Sequence, residues 1–270
     1  LTIKVRAKDT GGRQSEESVT VTDDPVKPTF SSWTLAADNS TLDITFSEAV
    51  FTNGGGTGAL VPGDFSLSFA RNGGAATAAA ISGVSMTAAD TARLTLSITG
   101  TPSGLETITV TPAGSTSIYD AIGNPMAGTQ TTGALTLHDE AFPTISSASM
   151  ASDNAYLEIV FSEGVYTTSG GTGDLVVADF ALDFQDNGGT ATDVTLVSVT
   201  RVSATVSRLG LTITGTPNGD ETIEATPATG SSIYDAAGNA MAGTQTTGEQ
   251  NLNPQRPGPG RRADRARGAP

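Results

Sequence analysis

The stretch TLDITFSEAV at residues 41–50 returns as YLEIVFSEGV at residues 156–165. Leu42, Ile44 and Phe46 alternate in it with Thr41, Asp43 and Thr45, so apolar side chains recur at every second position. That is the period of a strand with one face turned to a core. Leu157, Ile159 and Phe161 keep the same alternation in the second copy. Followed outward, the match runs without a gap from residues 24–133 onto residues 139–248 at a constant offset of 115, with roughly 60 positions identical. A self-copy of about 100 residues is long enough to enclose its own core, so each copy reads as a whole domain and not as one turn of a solenoid.

The remaining apolar runs carry the same period. Phe65, Leu67 and Phe69, then Leu94, Leu96 and Ile98, then Ile108 and Val110, then Leu135 and Leu137 alternate with polar neighbours. Between them lie Asp38-Asn39, Asn72-Gly73-Gly74, Thr101-Pro102-Ser103-Gly104 and Gly123-Asn124, residue types that supply turn geometries. The stretch from Thr77 to Met86 is irregular, because Ile81 and Val84 fall on opposite faces of an ideal strand, and Val194, Leu196, Val197 and Val199 repeat the problem. A β-bulge would restore one inward face in each copy. With a first strand near Thr29 to Leu35, seven strands are expected per copy and no helix of note. The expected fold class is all-β: tandem antiparallel Greek-key β-sandwiches of the immunoglobulin kind, arranged as beads on a string.

Composition points to an exported setting. The chain has 270 residues, no cysteine, and 28 acids against 14 bases. Absence of cysteine leaves no disulfides, which leans towards a bacterial exported protein held by its core, or by core and metal. No initiator Met, signal peptide or long apolar run is present, so the expectation is a fragment of a longer protein, with export and anchoring signals elsewhere and no direct membrane insertion here. Residues 251–270 carry Arg256, Arg261, Arg262, Arg265 and Arg267 against Asp264, so the other 250 residues stand at −18 beside the chain's −14. An acidic body repels nucleic acid and anionic lipid and attracts divalent cations where carboxylates converge. The tail reads as disordered linker or out-of-frame sequence; its arginines have no aromatic neighbours to stack bases.

Two phrases carry a resemblance. FSEAV/FSEGV after the second strand and IYDAIGNPMAG/IYDAAGNAMAG before the last are similar to the bacterial immunoglobulin-like repeats of giant surface proteins, especially the repeat family named after a cyanobacterial swimming-motility surface protein. This similarity covers residues 24–248, giving repeats at 24–138 and 139–250. Residues 1–23, with Ala7-Lys8-Asp9-Thr10-Gly11-Gly12 and the exit Asp23-Asp24, resemble instead the last two strands of a cadherin-like domain. That resemblance implies calcium ligation by Asp9, Asp23 and Asp24, although the fuller DxNDN linker of the family is replaced here by Asp23-Asp24-Pro25. Neighbouring domains of the same long chain are the implied partners.

The sandwich topology makes a separate expectation. The linker entering a repeat, the loop after its second strand and the loop before its last strand should meet at one pole. Asp24, Glu48, Asp120 and Asn124 would gather there in the first repeat, and Asp139, Glu163, Asp235 and Asn239 in the second. Carboxylates forced together repel unless a cation or donors compensate. Ca2+ suits such a set, because it takes six to eight oxygens in flexible geometry, and with His138 the sole histidine no zinc set exists. Against this stands a plainer reading, in which the Asp and Asn of DAxGN only organise their own turn.

Other features carry less. Asn53 to Gly58 lacks the Lys-Ser/Thr and helix start of a phosphate cradle and reads as a flexible apical loop. Trp33 reads as core or sheet-edge packing, and Asp64 and Asp179 as turn-forming acids at strand entrances. Nothing sets Glu106 apart from surface acids. No nucleophile with its base, and no acid pair in a recognisable cleft, marks an enzyme. The expected function is therefore a non-catalytic, calcium-stiffened stalk or adhesion module at the cell surface. The alternative is an immunoglobulin-like module binding glycans or proteins through apical Gly-rich loops and aromatics such as Phe51, Tyr119, Tyr166 and Tyr234.

Overall fold

The computed structural model describes residues 2–20 and 25–255, so Asp23, Asp24 and the arginine-bearing residues 256–270 lie outside it. The chain divides into two compact units, Leu1–Asp139 and Glu140–Pro270.

The first unit opens with a hairpin of β1 (Thr2–Lys8) and β2 (Gln14–Thr20), paired antiparallel from Thr2↔Thr20 to Lys8↔Gln14. Asp9 closes it, its Oδ1 accepting from the backbone N–H groups of Gly11 (2.9 Å) and Arg13 (2.8 Å). Its two strands form a sheet by themselves, and Ile3 and Val5 are 47% and 59% exposed. A lone two-stranded hairpin is marginal in water.

Seven strands follow: β3 (Phe30–Leu35), β4 (Thr41–Phe46), β5 (Phe65–Ala70), β6 (Ala78–Ala88), β7 (Thr91–Thr99), β8 (Thr107–Pro112) and the short β9 (Leu135–Thr136). They build two antiparallel sheets, β3-β4-β7-β6 and β5-β8-β9. In β4 the alternation read from the sequence is realised: Leu42, Ile44 and Phe46 are buried and Thr41, Asp43 and Thr45 are not. These residues join Ala92, Leu94 and Leu96 of the same sheet, and Phe65, Ile108, Val110 and Leu137 from the other side, in one core. Phe30 and Phe46 meet edge to face with centroids 5.5 Å apart. The irregular stretch holds a register shift between Ile81 and Gly83, which returns both Ile81 and Val84 to contact with the core. Trp33 lies on the edge strand β3, 36% exposed.

The second unit repeats this plan with β10 (Ile145–Met150), β11 (Tyr156–Phe161), β12 (Phe180–Gln185), β13 (Ala191–Ser203), β14 (Val206–Gly215), β15 (Thr222–Pro227) and β16 (Gln250–Asn251), in sheets β10-β11-β14-β13 and β12-β15-β16. Its register shift between Leu196 and Ser198 falls in the stretch where a bulge was expected.

One boundary moves. The tail was expected to begin at residue 251, yet Asn251 pairs with Thr222, Leu252 is buried in the core, and the backbone N–H of Asn253 donates to Asn154 Oδ1. The cause is legible afterwards: Leu252 stands 115 residues after Leu137, so the repeat continues past the point where identity fades. Among the described residues no helix is long and apolar enough to cross a membrane.

Candidate metal centre

Three chain segments meet at one end of each repeat, and hydrogen bonds fix the meeting. In the first, Ser47 N–H donates to Thr29 O (2.9 Å) and Thr29 N–H to Ser47 Oγ (3.0 Å), which laces the leading segment to the loop after β4. That loop is tied in turn to the one before β9, because Phe51 and Tyr119 exchange backbone bonds of 2.8 and 2.9 Å. Asn124 Nδ2 donates to Val26 O, closing the triangle. The Gly-rich loop is held more firmly than a flexible apical loop would be. Thr52 N–H bonds Gly58 O, and Gly123, at φ 99°, sits so close that a Cβ there would lie 2.6 Å from Gly54 O. Only glycine fits that crossing.

Asp120 is the hub, 1% exposed. Its Oδ1 accepts from the backbone N–H groups of Ile122 (3.0 Å), Gly123 (2.7 Å) and Asn124 (2.7 Å), and its Oδ2 accepts from Asn124 Nδ2 (2.7 Å). Burial alone would raise its pKa, but these donors prevail and hold the carboxyl below its ordinary range. Asp235 repeats the design: Oδ1 accepts from Gly238 N–H (2.7 Å) and Asn239 N–H (2.8 Å), and Oδ2 from Asn239 Nδ2 (2.8 Å). The turn chemistry expected of DAxGN is therefore present in both repeats. Asn124 and Asn239 each contact their acid by donation through nitrogen, which orients the carboxylate.

The acids also converge. Asp139 on the leading segment, Glu163 at the start of the loop after β11, and the buried Asp235 each place a carboxylate oxygen so that all three lie within 4.8 Å of one another. These are residues from three distant stretches, brought together by the same lacing as in the first repeat, with Ser162 N–H on Thr144 O and Thr144 N–H on Ser162 Oγ, both 2.9 Å. In the first repeat Glu48 is half-buried at the corresponding place, while Asp24 lies outside the described residues. Asp9 belongs to the separate hairpin turn. The donor set at 139, 163 and 235 is all hard oxygen, which fits calcium and offers nothing to a thiophilic metal.

Comparison with known families, with curated proteins and with solved structures finds no match to this chain.

The sequence reading missed two devices at the other end of the repeats. Glu106 and Glu221 are fully buried. Glu106 accepts from the N–H groups of Ala76 (2.7 Å) and Ser103 (2.9 Å), and Glu221 from those of Thr190, Ala191, Asn218 and Gly219. For Glu221 burial opposes ionisation, yet the ring of backbone donors wins and brings the pKa down to about 2. Gly74 and Gly189 make room, since a Cβ would lie 2.2 and 2.3 Å from the respective carboxyl groups. The second device is Asn39, 2% exposed at φ 53°. Its Nδ2 donates to His138 O (2.9 Å) and its Oδ1 accepts from His138 N–H (2.8 Å), so the turn clamps the departing segment; Asn154 does the same to Asn253. A Thr-Pro-x-Gly-x-Glu phrase in both copies (residues 101–106 and 216–221) was the available signal for the buried acid.

Proposed function

We propose that this chain is a non-catalytic, calcium-stiffened stalk or adhesion module, part of a large exported bacterial surface protein. The observation that carries the reading is the convergence of Asp139, Glu163 and Asp235 from three separate stretches onto one point. Three carboxylates this close repel one another, and a divalent cation relieves the repulsion while supplying a tie between the leading segment and two loops of the repeat. The backbone donors on Asp235 hold its side chain ready and leave lone-pair capacity on its Oδ2. A tie of this kind restricts the linker, which is what a stalk requires. The resemblance to immunoglobulin-like surface repeats is supported by strand order: with the seven strands lettered A to G, the sheets read A-B-E-D and C-F-G, the constant-type immunoglobulin arrangement. An extracellular setting agrees with the acidic body and the lack of cysteine.

The test is a thermal melt with small-angle scattering as calcium is raised to 5 mM. At a dissociation constant of ~1 mM, mass action stabilises the bound repeat by about 1 kcal/mol, which raises the melting temperature of a domain this size by about 4 °C. The particle should also become longer and less variable in dimension. An unchanged melting temperature together with an unchanged scattering profile would remove calcium from the account.

A further inference from the structure

The two repeats differ sharply at one place on the surface. In the first, Val50, Phe51, Gly58, Ala59, Met86 and Ala89 line a hollow of about 260 Å³ beside the apical loop. The equivalent positions in the second repeat, 115 residues on, are Val165, Tyr166, Gly173, Asp174, Arg201 and Ala204. There the Arg201 guanidinium lies 4.9 Å from the centre of the Tyr166 ring, bonds Asp174 at 3.1 Å and reaches Val165 O at 3.5 Å. The second repeat therefore fills this niche with one of its own side chains. In the first repeat Met86 stands at the position of the arginine and Ala59 at that of the acid, with Phe51 as the aromatic platform.

We infer that the hollow of the first repeat receives an uncharged aromatic side chain of indole size, presented by a partner segment that carries basic residues beside it. The size follows from volume. An apolar cavity of ~150 Å³ admits benzene, so the larger hollow admits a fused ring but no drug-sized ligand. A side chain is the natural occupant, since a side chain occupies the same niche in the twin. The chemistry follows from the lining. A charged group would meet no counter-ion where Ala59 replaces the acid, and a sugar's hydroxyls would be left without partners against Val50, Phe51 and Met86. An aromatic ring instead gains Phe51 and the polarisable Met86 thioether. The flanking charge follows from the body, which stands at −18 over residues 1–250; lysines or arginines beside the ring would be steered towards it. This site is independent of the calcium reading and stands or falls without it.

The experiment is a methyl NMR titration of the full chain labelled at its four methionines, with the Met86 signal assigned through Met86→Leu. Three peptides serve as probes: Ac-Lys-Trp-Lys-NH2, Ac-Lys-Ala-Lys-NH2 and Ac-Glu-Trp-Glu-NH2. The first should shift the Met86 methyl saturably, with a dissociation constant on the order of 10⁻³ M. The alanine peptide should not shift it, and the acidic peptide should bind at least threefold more weakly at low salt, the gap narrowing at high salt. Ala59→Asp with Met86→Arg writes the second repeat's own residues into the first and should abolish binding, read by calorimetric titration of the tryptophan peptide because the reporting methyl is gone. Arg201→Met with Asp174→Ala should open a second site and raise the stoichiometry, which needs no change in the first repeat. No saturable shift with the tryptophan peptide, an equal shift with the alanine peptide, or binding that survives Ala59→Asp/Met86→Arg would each overturn the site. Equal affinity for the acidic peptide would overturn the basic partner.

Discussion

Glu221 shows how much one side chain can organise when it is buried as an anion. Its oxygens accept from the backbone of Thr190, Ala191, Asn218 and Gly219, so it pins the start of β13 to the turn before β15. Because its pKa falls from 4.5 to about 2 on folding, the stability it contributes is fully present above the ordinary carboxylate range. That stability is lost as pH drops from there through the folded value. We expect Glu221→Gln to cost about 2 to 4 kcal/mol at neutral pH, because the amide satisfies fewer of the buried donors. The variant should also flatten the acid limb: urea melts at pH 5 and pH 3 should differ more in the wild type than in Glu221→Gln. Equal pH dependence in the two would mean that other acids dominate. Sequence alone did not separate this glutamate from the surface acids, because its neighbours Asp220 and Thr222 are polar and, beside the local donors Asn218 and Gly219, the donors that bury it against β13 are Thr190 and Ala191, 31 and 30 residues away. Asp120 and Asp235 were legible as turn-makers since their donors are two to four residues off, a distance at which the chain itself dictates the contact.

At the level of elements, most strands could be read because alternation survives in them. β4 and β11 bury every second residue, as Leu42, Ile44 and Phe46 and then Leu157, Ile159 and Phe161 require. The last strand of each repeat was harder. β9 and β16 have two residues each, too few for a period, and Gln250 replaces the apolar Leu135, so the end of the second repeat was placed before Leu252. What holds these short elements is the asparagine clamp at the far turn. Asn39→Ala removes both bonds to the His138 backbone, and also places a residue with no local polar compensation at φ 53°. The expected cost is about 1 to 3 kcal/mol. The measurement is hydrogen exchange: amides of Leu137 and His138 should lose protection while those of Leu42 and Leu94 keep theirs. Uniform loss across all four would mean that the clamp supports the whole repeat and not the departing segment alone.

For the whole molecule, duplication supplies an internal comparison. Where the repeats agree, as at the Asp hubs, the laced loops and the buried glutamates, one solution has been used twice. They part where Met86, Phe51 and Ala59 face Arg201, Tyr166 and Asp174, and there the surface has been put to different uses. The converging acids were anticipated from topology, since the loop after the second strand and the loop before the last must share a pole with the leading segment. Which acids point inward could not be read, because that depends on side-chain directions set by the lacing bonds. The account as a whole turns on those acids acting as a cation site. Its most direct test is calorimetric titration of calcium into the full chain, for the wild type and for Glu163→Gln. The account predicts saturable binding with a dissociation constant on the order of 10⁻⁴ to 10⁻³ M and loss of one binding event in the variant. No saturable heat, or identical isotherms for the two proteins, would contradict it.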